Sequence, residues 1–189
     1  MTRKVTNPTG RGAPATVSDL QALQRDSQGS WSLDPAGSSA EFHVKHFWGA
    51  ITVHGRFERL EGEGIVSLDG TVTGVLRLDA ASLTTKNKRR DQHLRSADFF
   101  DIEHHPTVTI TVALTAGSDG SLASDVHLET AGHNQQIRPV VQVVQAASGS
   151  VTLRAEVTVD RSEFGMTWSP LGMAARQAGA VITARFVRA

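Results

Sequence analysis

The 189-residue sequence contains no cysteine. Disulfides, thiolate chemistry and any zinc site that needs Cys ligands are therefore excluded. Neither sign of charge is in excess, since Lys and Arg total 19 and Asp and Glu total 19. A chain with zero formal charge exerts no overall pull on a polyanion, so nucleic acid is not an expected partner. The one local basic run, Lys86, Lys88, Arg89 and Arg90, is followed at once by Asp91. No window approaches the roughly 18 apolar residues of a membrane-spanning helix. Arg3 and Lys4 are not followed by the apolar stretch of a secretory signal, and the location expected on that ground is cytoplasmic. GxSxG, HExxH, SxxK, GxGxxG and P-loop patterns are also missing, so no motif points to an enzyme.

What the sequence does have is alternation with period two. In residues 40–47, Phe42, Val44 and His46 share one face while Glu41, His43 and Lys45 share the other. Residues 107–114 set Val108, Ile110, Val112 and Leu114 against Thr107, Thr109 and Thr111. Residues 151–160 set Val151, Leu153, Ala155, Val157 and Val159 against Thr152, Arg154, Glu156 and Thr158, and residues 71–80 and 181–187 are similar. Such alternation predicts half-buried antiparallel strands. Turn signals are read at Gly62 and Gly64, Asp69-Gly70, Asp119-Gly120, Ser148-Gly149 and Gly179. The spacing suits an all-β fold of about eight strands, a sandwich or a barrel.

Two stretches fall outside this pattern. Residues 1–29 read as a flexible leader, Thr-, Pro- and Gly-rich at first, with a short helix over 18–26 capped by Ser18 and carrying Leu20 and Leu23 on one face. The domain proper is expected over residues 30–189. Within it, residues 84–105 carry charge without alternation and read as a helix-containing insert, with a helical turn starting near Ser96, that covers an open end of the barrel or sandwich.

Three groups of side chains carry candidate chemistry. His43/His46 and His104/His105 are close in sequence, but positions i, i+3 and i, i+1 point to opposite faces of a strand, so no metal site is expected. Asp91 and His93, with Asp98 and Asp101 nearby, offer an acid–base pair. The stronger reading is an ion-pair network of Arg89, Arg90, Asp91, Arg95, Asp98 and Asp101 that fixes the loop. Finally, aromatics gather as Phe42, Phe47 and Trp48, as Phe99 and Phe100, and as Phe164 and Trp168, the last joined by Met166, Leu171 and Met173. Aromatics beside mobile thioethers suit an adaptable pocket, and they suit a packed core equally well.

The segments WSLDPAGSSAEFHVKHFWGAITVHGRF (Trp31–Phe57), RRDQHLRSADFFDIEHHPTVTI (Arg89–Ile110) and VDRSEFGMTW (Val159–Trp168) occur in the order, and with the spacing, of the YceI-like family, which the chain resembles over about residues 30–188. The central stretch RDQHLRSADFFD is the most specific of the three. The resemblance implies an extended antiparallel β-barrel, lipocalin-like and of bacterial origin, enclosing a polyisoprenoid, an isoprenoid quinone or another long-chain, fatty-acid-like amphiphile, for transport or storage. Phe99 and Phe100 would drop into the interior, and Arg90, His93 and Arg95 would meet a polar head at the mouth. The residues expected to touch the ligand are Phe42, Val44, His46, Trp48, Arg90, His93, Phe99, Phe100, Phe164, Met166 and Trp168. No catalytic residue, metal or other cofactor is assigned. The expected partner is a hydrophobic small molecule, with a homodimer and a transient membrane contact for ligand exchange as further expectations. Two departures stand out: Val126–Gln142 keeps Gly132, Arg138 and Pro139 of the family's pattern with extra residues between, and the secretion signal of many members is not read here. Two other functions stay open, an enzyme acting on such a ligand through Asp91 and His93, and a stress-linked, partner-binding scaffold with a filled lumen.

Overall fold

The computed structural model describes residues 28–116, 122–147 and 149–189. Residues 1–27 of the expected leader, with the expected Ser18-capped helix, and the Asp119-Gly120 turn lie outside the described residues, while Gly29 already belongs to the first strand. The alternating stretches become strands: β1 (Gly29–Leu33), β2 (Ser39–His46), β3 (Ile51–Phe57), β4 (Leu60–Val66), β5 (Val72–Asp79), β6 (Leu83–Thr84), β7 (Thr107–Ala116), β8 (Leu122–Thr130), β9 (His133–Ile137), β10 (Val140–Ala147), β11 (Ser150–Asp160) and β12 (Ala174–Arg188). Among the described residues one α-helix, α1 (Lys88–Leu94), interrupts them. All pairings are antiparallel, in the order β6-β3-β2-β12-β1-β4-β5-β7-β8-β9, with β11 on the other edge of β12 and β10 beyond it.

The strand count exceeds the expected eight in part because two runs of chain are broken by proline-containing bends, and β6 adds a strand of only two residues. Asp34 caps a 3-10 turn at Pro35–Gly37, its side chain accepting from the Ala36 amide at 3.1 Å, and this turn separates β1 from β2. The two strands share one edge of β12: β2 pairs with its first part (Ala180↔Phe42) and β1 with its end (Trp31↔Arg188). In the same way β9 pairs with β8, and after Arg138-Pro139 the chain continues as β10, which pairs with β11. The expected closed barrel is therefore corrected in one respect. Among the described residues no hydrogen-bonded ladder joins β9 to β10, and the sheet comes full circle through the covalent chain at Arg138-Pro139. Proline lacks the N–H that a continuous ladder would need there.

Several expected turns lie inside strands. Gly62 and Gly64 sit within β4, where a Cβ would approach the Val75 and Thr73 carbonyl oxygens to 3.0 and 3.3 Å. Gly179 sits within β12, and its missing side chain makes room for the ring of His43 across the ladder. These glycines serve close packing, so their turn reading fails. Asp69-Gly70 does form the β4–β5 turn, with Gly70 at φ +82° and the Thr71 amide donating to Asp69 Oδ1 at 2.9 Å.

The inward faces meet in one apolar core that includes Leu33, Phe57, Leu76, Leu78, Leu83, Val108, Ile110 and Val126. Leu83 is fully buried, a contribution of about 1.5–3 kcal/mol. Phe42, Leu94 and Phe100 pack against this core, so the insert is anchored from the inside.

Candidate functional site

The core fills only part of the interior. A cavity of about 880 Å³ remains, inside the range of roughly 300–1,000 Å³ typical of ligand pockets. Its wall follows directly from the alternation. Val108, Ile110, Val112 and Leu114 come from β7, Val126, Leu128 and Thr130 from β8, Leu153, Ala155, Val157 and Val159 from β11, and Ala178, Ala180, Ile182 and Ala184 from β12. The small alanines of β11 and β12 leave space where leucines would close it. The cavity meets solvent beside α1, where the lining residues Asn87, Arg89 and Trp168 are themselves exposed, and again at Val141 on β10.

The insert forms that rim. Asn87 caps α1, its side chain accepting from the Arg90 amide at 3.1 Å, so the helix begins a full turn or more before Ser96. Ser96 instead follows the helix and donates to the His93 carbonyl at 2.8 Å. Asp91 is buried and accepts from the Thr85 amide at 2.8 Å, Thr85 Oγ1 at 2.5 Å and Thr84 Oγ1 at 3.2 Å. Burial works to raise its pKa, but the Thr85 and Thr84 hydrogen bonds and the charge of Arg95 outweigh burial, and the carboxyl is held below its ordinary range. Arg90 donates to Thr85 Oγ1 at 2.7 Å and to the Thr85 carbonyl at 3.0 Å, and Arg95 to the Leu83 carbonyl at 2.6 Å. The expected Arg–Asp network is thus not what fixes the loop. Threonines and backbone carbonyls do, because the strand β6 brings them closer to these side chains than the carboxylates are. Nor do Asp91 and His93 pair with one another: His93 Nε2 lies 2.9 Å from Asp98 Oδ2.

Ten of the eleven residues expected at the ligand line this cavity. Phe42, Val44 and His46 do so from β2, Arg90 and His93 from α1, Phe99 and Phe100 from the insert, and Phe164, Met166 and Trp168 from the segment after β11. Phe100 stands edge-on to Phe57 at 5.7 Å, whereas Phe99 and His93 gather about Trp168 at 5.8 and 4.4 Å between ring centres. Trp48 is the exception. It lies in the 3-10 turn Phe47–Gly49 at φ +54°, 78% exposed, and is turned away from the wall. Alternation cannot carry past β2 there, since Phe47 itself adopts φ +50°. Arg95 likewise stays outside the wall, held at Leu83.

Sequence reasoning missed Arg161. It lines the cavity yet is only 7% exposed, at the start of the 3-10 turn Arg161–Phe164. Its Nε donates to the Ala175 carbonyl at 2.9 Å and its Nη1 to the carbonyls of Met166 and, at 3.0 Å, Trp168. The Arg within VDRSEFG marked the place, but a single cation after a strand carries no signal of burial. Burial, then the charges of Arg161 and Arg90, hold His46 below its ordinary pKa, so the imidazole facing the cavity is disposed to be neutral.

Three comparisons bear on this architecture. Residues 31–186 match the YceI-like domain. A UPF0312 protein of Staphylococcus aureus (strain MRSA252) is 33% identical over 89 residues, 46% of this chain and 52% of that protein, so the chain spans about half the length of the curated relatives it matches. Among solved structures, BcnA of Burkholderia cenocepacia superposes with a TM-score of 0.69 at 18% identity, over 81% of this chain and 98% of that one. A polyisoprenoid binding domain from Saccharophagus degradans, implicated in plant cell wall breakdown, gives 0.67 at 16%, over 84% and 98%. The Campylobacter jejuni YceI protein gives 0.58 at 21%, over 70% and 83%. The twelve-stranded sheet wrapped about an apolar cavity, with the RDQHLRSADFFD insert at its rim, accordingly belongs to a member of the YceI-like family.

Proposed function

We propose that this chain binds a long-chain amphiphile, a polyisoprenoid, an isoprenoid quinone or a fatty-acid-like molecule, in the cavity, and carries or stores it without chemical change. The observation that carries the reading is the wall itself: about 880 Å³ bounded mostly by Val, Leu, Ile, Ala and Phe side chains. Each methylene buried there contributes about 0.8 kcal/mol, so about ten give 8 kcal/mol. Association costs at least about 4 kcal/mol, so only a long chain binds usefully. A role as binder rather than enzyme is supported by Asp91, whose carboxylate is occupied by Thr84 and Thr85. Mass spectrometry of lipid extracted from gently purified protein tests the reading. A co-purifying amphiphile, recovered unchanged, is expected; no co-purifying species, together with no binding of added farnesol or hexadecanol, would sink it.

A carrier of insoluble cargo must meet a membrane, and one surface is suited to it. Phe47, Trp48 and Ile51 at the β2–β3 turn and Leu171 in the 3-10 turn Pro170–Gly172 are all exposed. They lie at one end of the sheet, because Ala174 pairs with His46, and that end adjoins Trp168 at the cavity opening. Phe47, Trp48 and Leu171 hold left-handed backbone at φ +50°, +54° and +54°, a cost of roughly 1–2 kcal/mol each, and Trp48 and Leu171 are 78% and 85% exposed. Lys45 precedes this turn, and Lys86, Lys88 and Arg89 stand at the α1 rim of the cavity; all four are exposed and form no ion pair among the described residues. Aromatic and aliphatic tips together with exposed cations suit an anionic bilayer surface.

A further inference from the structure

Arg161 is a buried cation that forms no ion pair with any carboxylate among the described residues. The charge of its sequence neighbour Asp160 acts on it from a distance, but that carboxylate makes its contacts with Arg176 at 2.9 Å and the Ser162 hydroxyl at 2.6 Å. The one acidic residue in the cavity wall, Glu41, is exposed on the outward face of β2. The other charged lining residues, Arg89 and Arg90, are cations too. The carbonyls of Ala175, Met166 and Trp168 occupy Nε and Nη1, and they explain Arg161 as a clamp on the turn after β11. They leave Nη2 with no acceptor among the described residues. A buried guanidinium with no carboxylate in contact is costly, and its unused donors are fixed in a planar fork.

We infer that the cargo carries an anionic head, a carboxylate or a phosphate, and that Arg161 receives this head inside the cavity through its free Nη2 edge. The inference rests on the apolar-cargo reading above and adds to it the chemistry and place of the head. Arg161 Nε is bonded at Ala175, beside the Ala174–His46 pair, so Arg161 and His46 lie at the same end of the cavity. Arg90 lines the same cavity, and the charges of both guanidiniums bear on His46. The chain of the ligand then runs from this polar corner along the alanines of β12. The arrangement corrects the expected head group site in one respect, since Arg95 is held at the Leu83 carbonyl and is not part of the wall.

The test pairs ligands of one chain length that differ only in the head: hexadecanoate against hexadecanol, and farnesyl phosphate against farnesol. Binding is read from the emission of Trp168, which lines the cavity. The wild-type protein is expected to prefer the anion by at least about ten-fold in one pair, and the pair that shows it identifies carboxylate or phosphate as the head. Arg161→Gln is expected to abolish the preference while hexadecanol or farnesol binds within about three-fold of wild type, a separation that loss of a purely structural clamp would not produce. Equal binding of anion and alcohol by the wild type overturns the inference, and so does a preference that survives in Arg161→Gln. The wild-type comparison decides the matter alone should that variant fail to fold. If neither member of either pair binds, the apolar-cargo reading falls and this inference with it; binding without preference removes only the inference.

Discussion

Asp91 is the residue on which the insert hangs. Its carboxylate collects three hydrogen bonds from Thr84 and Thr85 in a buried position, and bonds to a charged acceptor are worth about 1.5–3 kcal/mol. Asp91→Asn is therefore expected to cost about 2 kcal/mol in urea unfolding. The pH dependence has a definite sign. A carboxyl held below its unfolded value of about 3.9 stabilises the fold fully above that pH and ceases to do so as pH falls through the lower, folded value. Wild-type stability should fall more steeply than that of Asp91→Asn as the pH is taken below about 4. Gly55 illustrates a different constraint. A Cβ there would stand 2.2 Å from the Phe42 ring, which crosses β3 to reach Phe57 and Phe100. Gly55→Ala should cost about 1–3 kcal/mol in thermal unfolding. Coupling to Phe42→Ala in a double-mutant cycle would show that the ring is the cause, and simple additivity would show that it is not.

Among the elements, the two turns at the cavity opening combine apolar side chains with unfavourable backbone. Trp48 and Leu171 occupy left-handed positions that asparagine adopts more readily, so Trp48→Asn with Leu171→Asn should leave the fold intact. The double variant is expected to bind vesicles of phosphatidylcholine with one-quarter phosphatidylglycerol at least about ten-fold more weakly than wild type in co-sedimentation. Unchanged sedimentation would show that these turns do not meet the bilayer. A shift in oligomeric state instead of in vesicle binding would assign the patch to a protein contact. Removal of Lys88 by substitution with Gln should weaken vesicle binding about five-fold at low salt and less at high salt.

At the scale of the whole molecule, the sheet encloses more space than its side chains fill, and a ligand that enters stabilises the fold by mass action. At a free concentration about one hundred times Kd the gain is about 2.7 kcal/mol, a rise of roughly 5–10 °C in the unfolding midpoint for a chain of this size. Ala180 faces Phe42 across the ladder and lines the cavity, so Ala180→Phe should occupy the space, keep the β-sheet circular-dichroism signal and abolish the ligand-induced rise. A full rise in that variant would place the ligand elsewhere. The pairing pattern also assigns the composite strands a shared role. Each of β1–β2 and β9–β10 passes from one neighbour to the next at a proline bend, which lets the sheet surround a cavity without a continuous ladder.

The sequence by itself determined the all-β class, the faces of β2, β7 and β11 and most of the cavity wall, because side-chain direction in a strand depends only on the parity of the residue number. From Phe42 to Trp168, the wall residues were legible wherever alternation or an aromatic cluster reached. Tertiary structure alone decided the rest. Trp48 left the wall because a left-handed turn follows β2, which no periodicity encodes. Gly62, Gly64 and Gly179 proved to be packing positions in strands, since the atoms that exclude a Cβ come from residues distant in sequence or on a neighbouring strand. Whether the lumen held a core or a cavity depended on how the small alanines of β11 and β12 face one another, a sum over several strands. The burial of Arg161 with backbone carbonyls as its hydrogen-bond partners, finally, is a relation between elements, and it becomes visible only once β12 and the turn after β11 are brought together.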